Sequence, residues 1–430
     1  MGRNNIEKYS AGYALIKATV RFWHNNIFYR KIIAIGKENI NPNDHIIFAP
    51  NHQNALMDAL AIHFTHKGQF VFLARADIFK KKAVAAILYY LKILPVYRIR
   101  DGFANLKEND EIFSKTIDVI KNKNGLVILP EGNHDGFRRL RQLKKGICRV
   151  AFQADEAKNN QLKIKIIPVG VDYSNYQNFR QVLTVVYGKP IEVSEYHELY
   201  KTNPEKALVE LKNRLSDEIK KLMVNIESKE DYEAIDELRD IVNCKFSDST
   251  KEPKLFRDIE LIDKLNRLKD ADIDLYKRVC SLSLSIKAKA KELQLDYSLL
   301  EKKQNRLLGL LVLIIGFPVF VFGNIFNAIF MGIPIFMARK VKDPQFVSSF
   351  RFVVSTALAI LLSLPILILS RIFFAEWWQA ILFFVSLPLS GLAAWSYYRL
   401  YKRIKVRRKG KLFETLNADY KELMSIIAKI

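Results

Sequence analysis

Short apolar runs alternate with longer stretches of helical spacing along residues 31–192 of the chain. The runs that predict strands are Lys31 to Ile35, Ile46 to Ala49, Phe70 to Ala74, Leu94 to Ile99, Leu126 to Leu129, Ile164 to Val171 and Val182 to Tyr187. The clearest predicted helices between them are Lys82 to Leu91, Lys107 to Asn122 and Lys145 to Glu156. This alternation predicts an α/β domain whose sheet is mostly parallel and is flanked by helices.

The strand pattern stops after Ser194, and charged amphipathic helices follow, such as Pro204 to Ile226 and Ser228 to Cys244. We expect the charges of these helices to lie on a solvated face, as in a plain helical linker domain. The alternative is a helical insert that packs over a site on the α/β domain or contacts a carrier protein.

The C-terminal third contains three long runs without a charged residue, Leu307 to Ala338, Phe352 to Ser370 and Trp377 to Tyr398. The second and third have the length of about 20 residues that a membrane span needs. The first is too long for one simple span and too short for two, and glycines and prolines interrupt it. The sequence therefore predicts a bent hairpin or re-entrant pair, followed by two spans.

Basic residues flank these runs and predict their orientation. They are Lys302, Lys303 and Arg306 before the first run, Arg339, Lys340 and Lys342 after it, and Arg399, Lys402, Arg403, Lys405, Arg407, Arg408, Lys409 and Lys411 after the third. The loop from Arg371 to Glu376 lacks a strong basic cluster. Since basic loops stay in the cytoplasm, we expect a multi-pass membrane protein whose α/β domain faces the cytoplasm.

The formal net charge of +23, from 68 Lys and Arg against 45 Asp and Glu, indicates an anionic partner. Nucleic acid and anionic lipid both fit that charge, and the apolar segments favour membrane lipids over nucleic acid. Cys148, Cys244 and Cys280 lie far apart in the sequence, so they predict neither a metal site nor a disulfide framework. Such cysteines fit a reducing compartment.

The N-terminal stretch from Tyr9 to Tyr29 mixes aliphatic and aromatic residues with Lys17 and Arg21. That composition predicts a helix lying in the membrane interface, and a helix packed on the α/β domain is the alternative. The predicted domains are an interfacial helix at 1–30, an α/β domain at 31–193, a helical region at 194–304, transmembrane segments at 305–400 and a basic cytoplasmic tail at 401–430.

A histidine follows the second predicted strand, in the stretch IIFAPNHQNALMD from Ile46 to Asp58. Pro50 removes the next ladder donor, so His52 should project from the strand end. Helical spacing from Ala55 to Phe64 places Asp58 in the first turns of a helix, facing back toward His52. A neutral imidazole can take a proton from a hydroxyl near neutral pH, and a carboxylate on its other nitrogen fixes its tautomer. The alternative is a helix-capping histidine beside a solvated carboxylate.

Polar or basic residues mark three further predicted strands. In LPVYRIRDG, alternation places Arg98 and Arg100 on one face, where both can meet the same anion. GLVILPEGNHDG ends its strand at Glu131 and Gly132, and IKIIPVGVDY carries a proline near its centre. Ligands bind beyond the carboxyl ends of strands in open sheets of this kind, and the stretches with His52, with Arg98 and with Glu131 fall there.

The four blocks resemble, in order and spacing, those of the glycerol-phosphate acyltransferase family, which includes the lysophosphatidic acid acyltransferases. They are Asn51-His52 with Asp58, Pro95-Val96-Tyr97-Arg98, Pro130-Glu131-Gly132 and Ile167-Pro168-Val169, and the resemblance covers about Ile32 to Val193. It implies that His52 is the general base on the acceptor hydroxyl and that Asp58 orients it. The implied acceptor-binding residues are Asn51, Arg98 on the phosphate with Arg100, Glu131 and Gly132 lining the pocket, and Lys144 or Lys145.

Two features depart from the common pattern of that family. Five residues, Gln53 to Met57, separate His52 from Asp58, where most members have four. Asn133-His134-Asp135 follows the Glu-Gly pair, where the family commonly has a hydroxyl residue and then an arginine. Both features resemble a branch of microsomal-type acyltransferases.

The resemblance implies a membrane-bound O-acyltransferase in phospholipid biosynthesis. It would move a fatty acyl group from acyl-CoA or acyl carrier protein to glycerol 3-phosphate or 1-acylglycerol 3-phosphate. We expect direct transfer, because the sequence pairs no obvious serine or cysteine with His52, and we expect no metal and no other cofactor. The alternatives are acylation of another lysolipid or polar-lipid hydroxyl, and a non-catalytic, membrane-tethered lipid-binding protein.

Overall fold

A computed structural model of the chain describes residues 3–97, 107–157, 162–246, 251–301, 305–406 and 410–430. The chain forms two compact units. The α/β unit contains Met1–Asn225 and Pro344–Ser349, and the helical unit contains Ile226–Asp343 and Phe350–Ile430. Residues 344–349 thus belong to the α/β unit although they interrupt the helical unit in the sequence.

The α/β unit is built on one sheet. Its strands are β1 (Lys31–Ile35), β2 (His45–Pro50), β3 (Val71–Arg75), β4 (Ile93–Val96), β5 (Leu126–Val127), β6 (Ile164–Tyr173), β7 (Val182–Tyr187) and β8 (Ile191–Glu192). Its helices are α1 (Ala11–Phe22), α2 (Leu56–Thr65), α3 (Lys82–Tyr90), α4 (Lys107–Lys121), α5 (Gly146–Glu156), α6 (His197–Thr202) and α7 (Pro204–Lys220). The strand order is β1, β7, β6, β2, β5, β3, β4, with β8 paired to β6.

Five neighbouring strands, β6, β2, β5, β3 and β4, run parallel, whereas β7 and β1 run in the opposite direction. Parallel pairing brings the carboxyl ends of β6, β2 and β5 to one edge, where the loops after them meet. The sheet confirms the predicted fold class, and each predicted strand has an observed counterpart. The strand predicted from Leu94 to Ile99 is observed from Ile93 to Val96. Ile99 lies outside the described residues.

Helix α1 packs on the α/β unit. The Tyr13 hydroxyl lies 2.9 Å from Nε2 of the buried His63, and the Lys17 ammonium donates to two backbone carbonyls of the loop after α2. The opposite face of the helix leaves Leu15 71% and Phe22 56% exposed. The structure therefore shows the packed helix, and contact of its apolar outer face with a membrane stays a prediction.

The α/β unit extends beyond the predicted boundary at residue 193. Helix α7 contributes Leu208, Leu211 and Leu215 to the same core as Ile166 of β6. Because this apolar stripe is buried against the sheet, α6 and α7 belong to the α/β unit rather than to the helical region. The predicted helix from Pro204 to Ile226 also ends earlier than expected, at Lys220.

The helical unit contains α8 (Tyr232–Asn243), α9 (Lys254–Ala271), α10 (Ile273–Glu292), α11 (Ser298–Glu301), α12 (Arg306–Ala338), α13 (Phe346–Phe373) from residue 350 onward, α14 (Trp377–Lys405) and α15 (Lys411–Ile427). The expectation that its charges lie on a solvated face is wrong for one buried cluster. Asp258 is fully buried and accepts hydrogen bonds from Lys254 Nζ at 2.6 Å and Arg239 Nη1 at 3.2 Å. Pairing with opposite charges makes burial of this carboxylate tolerable.

Helices α12, α13 and α14 are, within the described ranges, the ones long and apolar enough to cross a membrane. Helix α12 is one continuous helix of 33 residues, which corrects the predicted bent hairpin or re-entrant pair. Pro318 and Pro334 lie inside it, and helices in lipid tolerate prolines where neighbouring groups satisfy the released backbone carbonyls. Small residues let α12 approach α14, since a side chain on Gly323 would meet the backbone carbonyl of Ser390.

Candidate active site

His52 and Asp58 meet at the carboxyl end of β2. The strand ends at Pro50 and α2 begins at Leu56, so Asp58 lies in the first turn of the helix. Oδ2 of Asp58 lies 2.9 Å from Nδ1 of His52. The Asp58 side chain is fully buried, whereas 15% of the His52 side chain is exposed. The structure thus brings the two residues together as the sequence predicts, with a buried carboxylate behind an accessible imidazole.

Four donors surround the Asp58 carboxylate. Besides His52, Oδ2 accepts from the backbone N–H groups of Gln53 and Asn54, each at 2.7 Å. Oδ1 accepts from the hydroxyl of Tyr173 at 2.8 Å. A carboxylate only accepts hydrogen bonds, so His52 donates from Nδ1. In the neutral imidazole this leaves a lone pair on Nε2.

The turn that joins the two residues, residues 52–58, is here called the dyad turn. Its backbone is strained at Ala55, where φ is 44° and ψ is −126°. Residues with a Cβ rarely adopt this region, and such strain costs about 1–3 kcal/mol where surrounding contacts maintain it. Ala55 lies within the longer spacing between His52 and Asp58, and the backbone N–H groups of Gln53 and Asn54 within that spacing still reach the carboxylate.

Glu131 holds the backbone at His52. Its side chain is buried, and its two oxygens accept from the backbone N–H groups of His52 at 2.6 Å and Arg141 at 3.1 Å. Burial raises the pKa of Glu131 to about 8, although both hydrogen bonds oppose the rise. The next residue, Gly132, has a φ of +69°, which favours glycine. Glu131 therefore has an observed positioning role, and its contact with an acceptor stays a prediction.

Asn51 joins two strands. It is fully buried, its Nδ2 donates to the Val171 carbonyl at 3.0 Å, and its Oδ1 accepts from the Val171 N–H at 2.7 Å. Both ends of the amide are thus engaged by β6, because Asn51 continues the β2 and β6 register beyond Pro50. The observed role of Asn51 is therefore to join β2 to β6 at the site. Substrate binding by Asn51, which the resemblance implies, stays a prediction.

The predicted basic residues fall into three groups. Arg98 and Arg100 lie outside the described residues. Lys144 is exposed, and its Cγ lies 3.6 Å from the position that a Cβ on Gly132 would take. Lys145 Nζ lies 2.6 Å from Oε2 of Glu205, at the start of α7. Of these two lysines, Lys144 is therefore the one that lies beside the Glu-Gly block.

Two residues missed by the sequence analysis support the site. Tyr173 is fully buried at the end of β6, where it reaches Asp58. Arg138 is also buried, forms an ion pair with Asp172, and donates to the Tyr173 carbonyl at 2.7 Å. The signal that could have identified Tyr173 is its position at the end of the stretch IKIIPVGVDY, on the same sheet edge as His52.

The loop after Glu131 reaches the imidazole. The rings of His134 and His52 lie 5.2 Å apart between centroids, at an interplanar angle of 74°. His134 belongs to the Asn-His-Asp sequence that departs from the common family pattern. This departure therefore lies directly beside the proposed base.

The sequence of this chain is similar to those of known acyltransferases. Residues 31–172 match the sequence model of the Acyltransferase family. The chain is 28% identical over 118 residues to glycerol-3-phosphate O-acyltransferase 2 of Saccharomyces cerevisiae, covering 27% of this chain and 16% of the relative. It is 27% identical over 164 residues to glycerol-3-phosphate O-acyltransferase 1 of the same yeast, covering 36% and 20%. The chain therefore spans a fifth or less of each yeast relative.

Among solved structures, the 1-acyl-sn-glycerophosphate (LPA) acyltransferase PlsC from Thermotoga maritima aligns with a TM-score of 0.33 and 17% identity, covering 49% of this chain and 78% of that chain. The region matched by the family, 31–172, contains the dyad turn, Glu131 and Lys144. Residues 31–172 of this chain are therefore similar in sequence to the acyltransferase domain that this family shares.

Proposed function

We propose that the protein transfers a fatty acyl group from an acyl thioester, acyl-CoA or acyl carrier protein, to a hydroxyl of a phosphorylated glycerol acceptor in phospholipid biosynthesis. The observation that carries this proposal is the pair of His52 and Asp58, in which a buried, hydrogen-bonded carboxylate holds Nδ1 and leaves Nε2 for a hydroxyl. The two yeast relatives are named for glycerol 3-phosphate. 1-Acylglycerol 3-phosphate offers the same phosphate and a glycerol hydroxyl.

The reaction proceeds by general base catalysis. Nε2 of His52 takes the proton of the acceptor hydroxyl as the oxygen attacks the thioester carbonyl carbon, and Asp58 stabilises the imidazolium. Backbone N–H groups near the strand ends stabilise the negative charge that develops on the carbonyl oxygen. The tetrahedral intermediate then expels the thiolate, which takes the proton from His52. An ester and a free thiol are the products.

Basic side chains near the base bind the acceptor phosphate. Arg98 and Arg100 follow β4 in the sequence, and an arginine binds phosphate through two parallel N–H bonds. Lys144, beside Gly132, adds a point charge. The net charge of +23 favours both an anionic acceptor and an anionic membrane surface.

The apolar helices make the protein a multi-pass membrane protein with its acyltransferase domain on the cytoplasmic side. Residues 344–349 belong to the α/β unit, so α13 starts on the side of the domain. Arg306 Nη2 donates to the Ile404 carbonyl at 3.2 Å, so α12 starts beside the end of α14. Basic residues cluster at these ends, as expected for the cytoplasmic side. Helices α13 and α14 then form a crossing hairpin whose loop, 374–376, lies on the far side. Helix α12 begins on the cytoplasmic side and precedes the cytoplasmic start of α13, so in this arrangement it does not complete a crossing.

The test is an acyl-transfer assay with the full-length protein in liposomes. Radiolabelled acyl-CoA and acyl carrier protein serve as donors, and glycerol 3-phosphate, 1-acylglycerol 3-phosphate and uncharged or zwitterionic lysolipids serve as acceptors. We expect transfer to a phosphate monoester. Transfer to another lysolipid would change the acceptor, and no transfer to any acceptor would leave a lipid-binding protein.

His52→Ala should abolish transfer while the protein stays folded and membrane-bound. The matched control is His45→Gln at the other end of β2, where Nδ1 lies 2.7 Å from the Ile120 carbonyl and away from the dyad turn. The control should keep normal turnover. Near-normal turnover of the His52 variant would remove the proposed base.

A further inference from the structure

Residues 344–349 contact the loops at the active-site edge of the sheet. The segment includes the first turn of α13, which begins at Phe346, and it belongs to the α/β unit. It reaches the dyad turn after β2, the loop that follows Glu131 after β5, and the loop after β6. These three strands are neighbours in the sheet, so one short segment lies across the loops that build the site.

The contact with the dyad turn is a buried hydrogen bond. The hydroxyl of Ser348 donates to Oδ1 of Asn54 at 2.8 Å, and each residue is 1% exposed. The backbone N–H of the same Asn54 donates to Asp58 at 2.7 Å. Ser348 is therefore connected to the proposed catalytic carboxylate through a single residue.

The contact with the second loop is aromatic. The ring of Phe346 lies 4.8 Å from the ring of His134 at an interplanar angle of 82°. His134 in turn contacts His52 edge to face. Phe346 is therefore connected to the imidazole of His52 through the ring of His134.

Two further hydrogen bonds join the segment to the surrounding loops. Gln345 Nε2 donates to the Asp135 carbonyl at 3.4 Å, and its side chain fills the space beside Gly136, whose φ is +68°. Gln177 Nε2 donates to the Pro344 carbonyl at 3.4 Å. The segment is therefore bound at several points.

We propose that the first turn of α13 positions the catalytic pair, with Ser348 as a positioning residue for the dyad turn. The strained backbone at Ala55 needs surrounding contacts to maintain it, and the bond from Ser348 to Asn54 supplies one next to the strained residue. Helix α13 is apolar and has the length of a membrane span. The same helix that enters the lipid therefore orders the catalytic turn with its first residues. This inference rests on the proposed acyl transfer.

Ser348→Ala in the full-length protein tests the proposal. We expect kcat to fall about tenfold, as for loss of a buried hydrogen bond, with both KM values unchanged. A fall in kcat without a change in KM is the result expected of a residue that positions the catalytic pair and does not contact the substrates. Ser348→Thr, which keeps the hydroxyl, should restore kcat.

The matched control is Ser349→Ala. Ser349 is 3% exposed, and its hydroxyl has no hydrogen-bond partner among the described residues, so its loss should leave kcat and both KM values unchanged. Phe346→Leu is a second variant, at a residue exposed enough to spare the fold. It should lower kcat with KM unchanged.

Two outcomes separate the inference from the function it rests on. A wild-type protein that acylates none of the acceptors would contradict the proposed function. An active wild type in which Ser348→Ala matches Ser349→Ala in kcat and in both KM values would overturn the positioning role alone.

Discussion

The hydroxyl of Tyr173 donates a 2.8 Å hydrogen bond to Oδ1 of Asp58, the oxygen that His52 does not contact. Tyr173 ends β6, and Asp58 lies in the helix that follows the neighbouring strand β2. The bond therefore connects two adjacent strand ends through the carboxylate. It also fixes the rotation of that carboxylate, so the imidazole keeps its orientation.

Removing this hydroxyl should impair turnover more than binding. Tyr173→Phe leaves the ring but removes a buried donor, so we expect kcat to fall about tenfold with KM for the acceptor unchanged. Tyr187→Phe is the matched control, since Tyr187 is equally buried and bonds Thr65 at 2.7 Å, away from the pair. The measurement is the steady-state kcat and KM of both variants in liposomes. Equal kcat values for Tyr173→Phe and Tyr187→Phe would assign Tyr173 to the fold alone.

The stability of the protein should depend on pH through Glu131. Burial raises its pKa in the folded protein to about 8, against an ordinary value of 4.5. Between these values the folded state holds a proton that the unfolded chain has released, so this group lowers stability as pH rises from about 4.5 to about 8. Glu131→Gln does not titrate, and its thermal midpoint should fall less over that range than that of the wild type.

Thermal unfolding in detergent at several pH values measures this difference. The control is Glu195→Gln at an exposed position, which should follow the wild-type pH dependence. Parallel curves for wild type and Glu131→Gln would mean that Glu131 is already ionised in the folded protein at the low end of the range.

Arg98 should set the affinity for the acceptor. Arg98→Ala should mainly raise the acceptor KM, because a phosphate loses a bidentate partner, and Arg98→Lys should not fully restore it. The measurement is initial rate against acceptor concentration, with the donor KM as internal control. An unchanged acceptor KM would assign the phosphate to Arg100, Lys144 or Lys145.

The membrane orientation can be tested with single cysteines in a background without Cys148, Cys244 and Cys280. An impermeant thiol reagent added from outside should modify a cysteine at Ala375, between α13 and α14, but not one at Gly410 before α15. Permeabilised cells provide the control for reactivity at both positions. Labelling of Gly410 from outside would overturn the orientation, and protection of both would show that the hairpin does not cross.

The sequence by itself determined the fold class and the pairing of His52 with Asp58. Strand and helix periodicity are local properties, and the two residues lie only six positions apart, so a strand end followed by a helix start was enough to place them together. The same local pattern recovered β1 and β7 with their exact bounds. It also located the three long apolar helices α12, α13 and α14, although not the continuity of α12, because long uncharged runs need no knowledge of distant partners.

Only the tertiary structure decided what surrounds the pair. Glu131 is 79 positions from His52, Tyr173 is 115 from Asp58, and Ser348 is 294 from Asn54. Periodicity carries no information on such separations, since these contacts follow from which strands are neighbours and from where the chain returns. Burial of Asn51 was decided in the same way, by its partner Val171 on β6.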